Sequence, residues 1–170
     1  MTTDLYETLS AVRAHTGTNR AAALTYAAAG LAVFPCAPGG KQPLTERGYR
    51  DATTGARRIR GWWAWQPHAN IGIATGHGLD VLDIDVHAGG DGYRILERLH
   101  RSNLVPGALA AVRTPSGGTH LYFPSDPGRP QRTWSRGTMH VDFRGTGGYV
   151  LAPPSTVISA AITVAARKRV

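Results

Sequence analysis

Two hydrophobic periods alternate along this chain, one near 3.6 residues and one of two residues or a short unbroken run. Within 1–18, Leu5, Leu9 and Val12 share one helix face. Residues 19–29 predict a second helix, with Asn19 as its cap, alanines along it, and Gly30 ending it in a left-handed conformation. A third helix is expected over 56–66, where Ile59, Trp62, Trp63 and Gln66 form a stripe. That stripe puts most of the tryptophans in the core and leaves base stacking by one of them as the lesser alternative. Asp91 can cap a fourth helix running to about Arg101, with Tyr93, Leu96, Leu99 and His100 as its inward positions.

The strand signals are shorter. Leu31–Pro35 reads as a buried strand, and Asn70–Gly76 with Leu79–Val86 reads as a hairpin. Ala108–Thr114 and Thr119–Pro124 form another hairpin around Gly117-Gly118, and Met139–Phe143 with Tyr149–Ala152 a further one across Gly145–Gly148. Loops are expected at Ala37–Gly48, His87–Asp91, the Pro106-Gly107 break and Ser125–Pro130. Helix and strand alternate in the first half and strand pairs dominate the second, which is an α+β pattern. The division that follows is an N-terminal helical extension over 1–18, a main domain over 19–156, and a basic tail over 157–170 that ends in Arg167-Lys168-Arg169 and has no evident partner.

The chemistry concentrates on Val81-Leu82-Asp83-Ile84-Asp85-Val86. Residues i and i+2 of a strand face the same side, so Asp83 and Asp85 would present two carboxylates together in an apolar setting. Such a pair repels itself and is costly to bury, and a divalent ion relieves it; hard oxygen ligands suit Mg²⁺ or Mn²⁺. Taken alone, the motif fits a solvated strand end equally well. His120 beside the Ser116-Gly117-Gly118 turn and Asp142 two residues before Arg144 enlarge the picture. Three carboxylates on neighbouring strands can hold two divalent ions, an arrangement that serves phosphoryl transfer. Ser116, His120 and the amides of Gly117 and Gly118 can donate to phosphates, and Arg144 can neutralise them. Each residue also has a plain structural reading: a strand histidine, an Asp142–arginine pair, glycines that serve only their turns. Lys41, flanked by Gly39-Gly40, fits a phosphate contact or an exposed surface lysine, and the stretch is not a P-loop.

Composition narrows the class. The chain has 170 residues, 42% of them hydrophobic, and carries a formal charge of +8. No apolar run approaches the roughly 18 residues of a membrane span. The polar N-terminus, with Asp4 and Glu7, predicts no secretory leader, so the cytoplasm is the default location. The single cysteine, Cys36, excludes an internal disulfide and a cysteine-rich zinc ribbon. Arginine supplies nearly all the positive charge, which suits bidentate contacts to phosphate and points to nucleic acid or nucleotides as partners.

The order of these stretches resembles the primase-polymerase (prim-pol) domain of the archaeo-eukaryotic primase superfamily. The resemblance rests on Tyr26 to Gly30, Val33-Phe34-Pro35, Gly40 to Leu44, Gly48 to Thr54, Trp62-Trp63, Pro67 to Ile73, Thr75-Gly76, the Asp83/Asp85 strand, Ser116 to Phe123, and Asp142 to Ser155. It implies an α/β unit joined to an RRM-like unit with the active site in the cleft between them. It also implies template-directed nucleotide addition, in which Asp83, Asp85 and Asp142 match the metal-binding carboxylates and His120 matches the histidine that meets the incoming triphosphate. The cofactors so implied are two Mg²⁺ or Mn²⁺ ions. The partners are a DNA template and primer, dNTP or NTP, and a helicase or helix-bundle domain on another chain. The chain has no cysteines for the zinc-binding insertion of some relatives, and 157–170 does not repeat their next strand.

Two rival functions remain on sequence grounds. One is a non-catalytic DNA- or nucleotide-binding replication module in the same shell. The other is a D-x-D glycosyltransferase, which leaves the His120 and Asp142 stretches unexplained.

Overall fold

The computed structural model describes residues 5–14, 17–87, 90–103, 105, 108–136, 140–157 and 160–164. Gly89, the Pro106-Gly107 break, Met139 and Arg167-Lys168-Arg169 lie outside them. Four helices are described: α1 (Leu5–Ala14), α2 (Asn19–Ala28), α3 (Ala56–Trp65) and α4 (Gly92–Arg101), with a 3₁₀ turn at Gly48–Asp51. The first strands are β1 (Val33–Cys36), β2 (Asn70–Ala74), β3 (Asp80–Ile84), β4 (Val86–His87) and β5 (Gly90–Asp91). Then come β6 (Ala110–Arg113), β7 (Thr119–Phe123), β8 (Trp134–Arg136), β9 (Val141–Arg144) and β10 (Tyr149–Ala152). The last are β11 (Thr156–Val157), β12 (Ala160–Ala161) and β13 (Thr163–Val164). The α+β class holds.

Two antiparallel sheets carry the architecture, one in the order β1-β2-β10 and one in the order β13-β6-β7-β3-β9-β8. In the larger sheet the pleat sorts side chains by face. Leu82, Ile84, Leu121 and Val141 turn to one side, where Ile95 and Leu96 of α4 pack on them. Val81, Val112 and Tyr122 turn to the other and join the main core with Phe34, Ile71, Ile73, Ile59 and Trp63. Leu5, Leu9 and Val12 of α1 are buried in that same core, as their spacing predicts. Tyr26, fully buried, donates its hydroxyl to Pro153 O at 2.9 Å. Trp63 donates Nε1 to Ala69 O at 3.0 Å. A large side chain buried this way is worth roughly 1.5–3 kcal/mol.

Several expectations are corrected. Strands β2 and β3 are not a hairpin: β2 pairs with β1 and β10, and β3 with β7 and β9. Nor do β9 and β10 pair, since β9 lies between β3 and β8. Both intervening turns cross from one sheet to the other, and they meet there. Gly76 has φ +90°, and a Cβ on it would stand 2.4 Å from Thr146 Cα. Thr75 Oγ1 donates to Gly145 O at 2.7 Å beside this contact. The hairpin of β6 and β7 is as expected. Helix α2 is capped by Thr18, whose Oγ1 accepts from Ala21 N, while Asn19 donates to Ala69 O at 2.8 Å. Tyr93 is 42% exposed rather than inward. Of the four tryptophans, Trp63 is buried and Trp62 half-buried, but Trp65 and Trp134 are exposed.

The stretch that the sequence left without a partner has one within the described residues. β13 pairs antiparallel with β6, and Ile162 is buried in the main core. Its amide donates to Ser155 O at 2.8 Å. Among the described residues no helix is long and apolar enough to cross a membrane.

Candidate active site

The register of the larger sheet builds the site. Asp83 pairs with His120 across β3–β7 and with Asp142 across β3–β9. Directly opposed residues of an antiparallel pair lie on one face, so the three side chains form a row. Arg144 stands two residues from Asp142 on that same face, opposite Val81. Below the row the face is apolar and buried, and at the row it turns polar and opens into a cleft. This cleft, of about 760 Å³, lies where the two sheets meet. Asp83, Asp85, Ser116, His120 and Arg144 line it from the larger sheet, and Lys41, Tyr49 and Tyr149 from the side of the smaller one. Val157 and Ile162, from the C-terminal stretch, also line it.

The electrostatics of the row are unbalanced. Asp83 is largely buried, with 13% of its side chain exposed. His120 Nε2 stands 3.3 Å from Asp83 Oδ1, within ion-pair reach but misaligned for a hydrogen bond, so Oδ1 has no hydrogen-bond partner. Arg144 Nη2 donates to Asp142 Oδ2 at 2.8 Å and stands 3.8 Å from Asp83 Oδ2. Burial is the largest influence on the Asp83 carboxyl and pushes its pKa up. The adjoining His120 together with the charges of Arg144 and Lys41 outweighs burial and holds it below the ordinary carboxylate value. His120 Nδ1 and the Tyr122 hydroxyl are likewise buried without hydrogen-bond partners. Three such atoms side by side form an uncommon concentration, because buried polar groups normally find partners.

The sequence-predicted residues do not all converge in the expected way. Asp83, His120, Asp142 and Arg144 are brought together. Asp85 lines the cleft but lies beyond the end of β3, where its amide donates to His140 O at 2.9 Å. That bond extends the β3–β9 register by one residue, and Asp83 and Asp85 line the same cleft. Among the described residues no group of three or more histidine, cysteine or acidic side chains is gathered as a ligand set for a metal. Ser116 and Lys41 line the cleft. Gly117, at φ +89°, makes the β6–β7 turn. A Cβ on Gly118 would stand 2.4 Å from Ile84 O, so that glycine lets the turn press on the end of β3.

Tyr49 and Tyr149 are cleft residues that sequence reasoning did not single out. Their rings stack at 6.2 Å, and Phe34 meets Tyr149 edge-on at 5.3 Å. The available signal was indirect: Tyr149 opens β10 directly after the Gly145–Gly148 loop. Thr133, also on the cleft, both donates to Gly145 O and accepts from Gly145 N at 3.1 Å.

In kind, the donors at the row fit a divalent cation. Asp83 brings a buried oxygen without a hydrogen-bond partner, Asp142 stands opposite it, and all are hard oxygens. The guanidinium of Arg144 supplies positive charge between them.

The sequence profile of the bifunctional DNA primase/polymerase N-terminal family matches residues 23–169. No curated protein matches the chain.

Proposed function

The chain belongs to the bifunctional DNA primase/polymerase N-terminal family, and from that premise we propose that its cleft carries out template-directed nucleotidyl transfer. In this reading the 3′-hydroxyl of a primer, or of a first nucleotide, attacks the α-phosphate of an incoming dNTP or NTP. The bond to the β-phosphate breaks and pyrophosphate leaves. The observation that carries the reading is the Asp83–His120–Asp142 row, with its partnerless buried atoms, at the mouth of a cleft large enough for a nucleotide.

Asp83, Asp85 and Asp142 would hold Mg²⁺ or Mn²⁺, which when bound activates the attacking hydroxyl and neutralises charge on the triphosphate. Arg144, one-third exposed toward the cleft, keeps the two carboxylates compatible and offers its remaining donors to phosphate oxygens. His120, held by the sheet on one side and facing Asp83 on the other, donates a hydrogen bond to a phosphate oxygen. Ser116 and Lys41 complete the phosphate contacts from the two sides of the cleft. DNA template and primer are the polymeric substrates. A helicase or helix-bundle domain on another chain is the further partner that fits a catalytic unit of this kind.

The test is extension of a labelled primer on a DNA template with Mg²⁺ or Mn²⁺ and with dNTPs or NTPs. Template-dependent extension that is lost on chelation is the expected result, and an unprimed template then tests priming. A second reading is a DNA- or nucleotide-binding replication module without turnover. The Arg144 guanidinium, bonded to Asp142 and 3.8 Å from Asp83, already offsets the charge of both carboxylates, and this favours it. Salt-dependent DNA binding by a folded protein that extends nothing under either metal would establish that reading instead.

A further inference from the structure

Helix α3 is two-faced in a way that the cleft does not explain. Ile59 and Trp63 are buried in the main core. The outward face carries Arg57, Arg60, Gly61 and Trp65, all exposed, with Trp65 at 66%. None of these residues lines the cleft. Arg57, Gly61 and Trp65 are spaced i, i+4, i+8 and therefore stand in one row along the helix. A Cβ on Gly61 would meet nothing within 4 Å, so the space between Arg57 and the Trp65 ring is open.

The charge on this face is uncompensated. Ala56–Trp65 contains no acidic residue. Arg58 is committed to the scaffold: it lies over the Trp62 ring at 4.9 Å and stands 3.5 Å from Asp51. Among the described residues Arg57 and Arg60 pair with no carboxylate.

We propose that the outward face of α3 is a second nucleic-acid contact, stacking one base of a single strand on Trp65 and holding the flanking phosphates with Arg57 and Arg60. It rests on the polymerase reading only for the supply of a strand. The occupant follows from the chemistry. The face carries arginines and no carboxylate, so its charge complements a polyanion, and the exposed indole adds a ring on which a base can stack. A base offers a π-face to the ring and a phosphate to each arginine, and the stacking tolerates any sequence. A duplex keeps its bases stacked on one another and would leave the ring unused.

The test is equilibrium binding of the full chain to a 5′-fluorescein-labelled oligothymidylate by fluorescence anisotropy, without divalent ions or nucleotides. Trp65→Ala should weaken binding roughly ten-fold or more, and Trp65→Phe should retain most of the affinity. A labelled duplex of equal length should bind Trp65→Ala nearly as it binds the wild type. The double variant Arg57→Gln, Arg60→Gln should reduce the slope of log K against log salt by roughly 0.7 per arginine. Unchanged oligothymidylate affinity and salt slope in these variants, with an unchanged melting temperature, would overturn the proposal. So would a Trp65→Ala chain that turns from dimer to monomer in sedimentation while its DNA affinity stays the same. Because the readout involves no turnover, failure of primer extension leaves it unaffected, and the two readings fall separately.

Discussion

Asp51 and Asp83 are both carboxylates withdrawn from solvent beside arginines, and the protein uses them in opposite ways. Asp51 accepts from Arg47 N at 2.9 Å, from Arg47 Nε at 2.9 Å and from Arg47 Nη2 at 2.7 Å, with Arg58 at 3.5 Å. The backbone hydrogen bond from Arg47 leads the influences that lower its pKa, followed by the Arg47 side chain. Asp83 has Arg144 no nearer than 3.8 Å, and its Oδ1 has no hydrogen-bond partner. Its pKa is lowered too, although burial opposes this. The direction of the shift therefore does not tell a structural carboxylate from a functional one. Unused coordination does: both Asp51 oxygens accept hydrogen bonds, and Asp83 keeps one oxygen for something else.

The sharpest way to break this contrast is to remove each carboxylate in turn. Asp83→Ala, or Asp142→Ala, should lower nucleotide incorporation by roughly 10²–10³-fold or more, the scale of losing one transition-state charge contact. The circular-dichroism melt should stay close to that of the wild type. Near-normal extension by either variant would return that carboxylate to a structural role.

Asp51→Asn should do the reverse, lowering the melting temperature by several degrees while kcat per folded molecule holds. The pH dependence carries the same sign. Because its folded pKa is depressed, Asp51 contributes stability that is fully present above its unfolded value near 4 and is lost as pH falls through the folded value. The Asn variant should therefore show a shallower loss of stability in acid below about pH 4. An acid limb as steep as that of the wild type would assign it to other groups.

Smaller effects should follow on the phosphate contacts. His120→Ala should raise the nucleotide KM roughly ten-fold, the worth of a hydrogen bond to a charged group, with kcat less affected. An unmoved KM would make His120 a residue of the sheet alone. Lys41→Ala should raise KM only a few-fold, and the difference should vanish in high salt. A difference that persists in high salt would mean that Lys41 acts at closer range than a solvated charge.

How far the sequence carries depends on the kind of signal. The apolar stripes of α1 and α3 and the turn glycines between β6 and β7 are local, and they were legible. So was the set Asp83, His120 and Asp142, because each sits in a short strand whose pattern is plain. The pairing of strands was not. Adjacency suggested β2–β3 and β9–β10 hairpins, yet those turns carry the chain between sheets, and nothing local distinguishes a turn that folds back from one that crosses over. Asp85 follows the last residue of β3, Ile84, and lines the same cleft as Asp83. The expectation that most of the tryptophans lie in the core missed Trp65, which is exposed two residues from buried Trp63. The Tyr49–Tyr149 stack joins residues 100 positions apart and has no local signature.

The row of side chains in the cleft has one more property, a genetic one. Its register is set by strand alignment, with the Arg144–Asp142 bond added to it, so its tolerance to change is lopsided. Slipping β9 along β3 by one residue would bring Val141 or Phe143 to the place of Asp142 and send the carboxylate to the face packed by α4. Codon substitutions at neighbouring positions leave the alignment alone and can accumulate. A single-codon insertion or deletion within β3, β7 or β9 shifts the register unless a bulge takes it up, whatever residue it adds or removes. Length in these three strands is thus under tighter constraint than spelling.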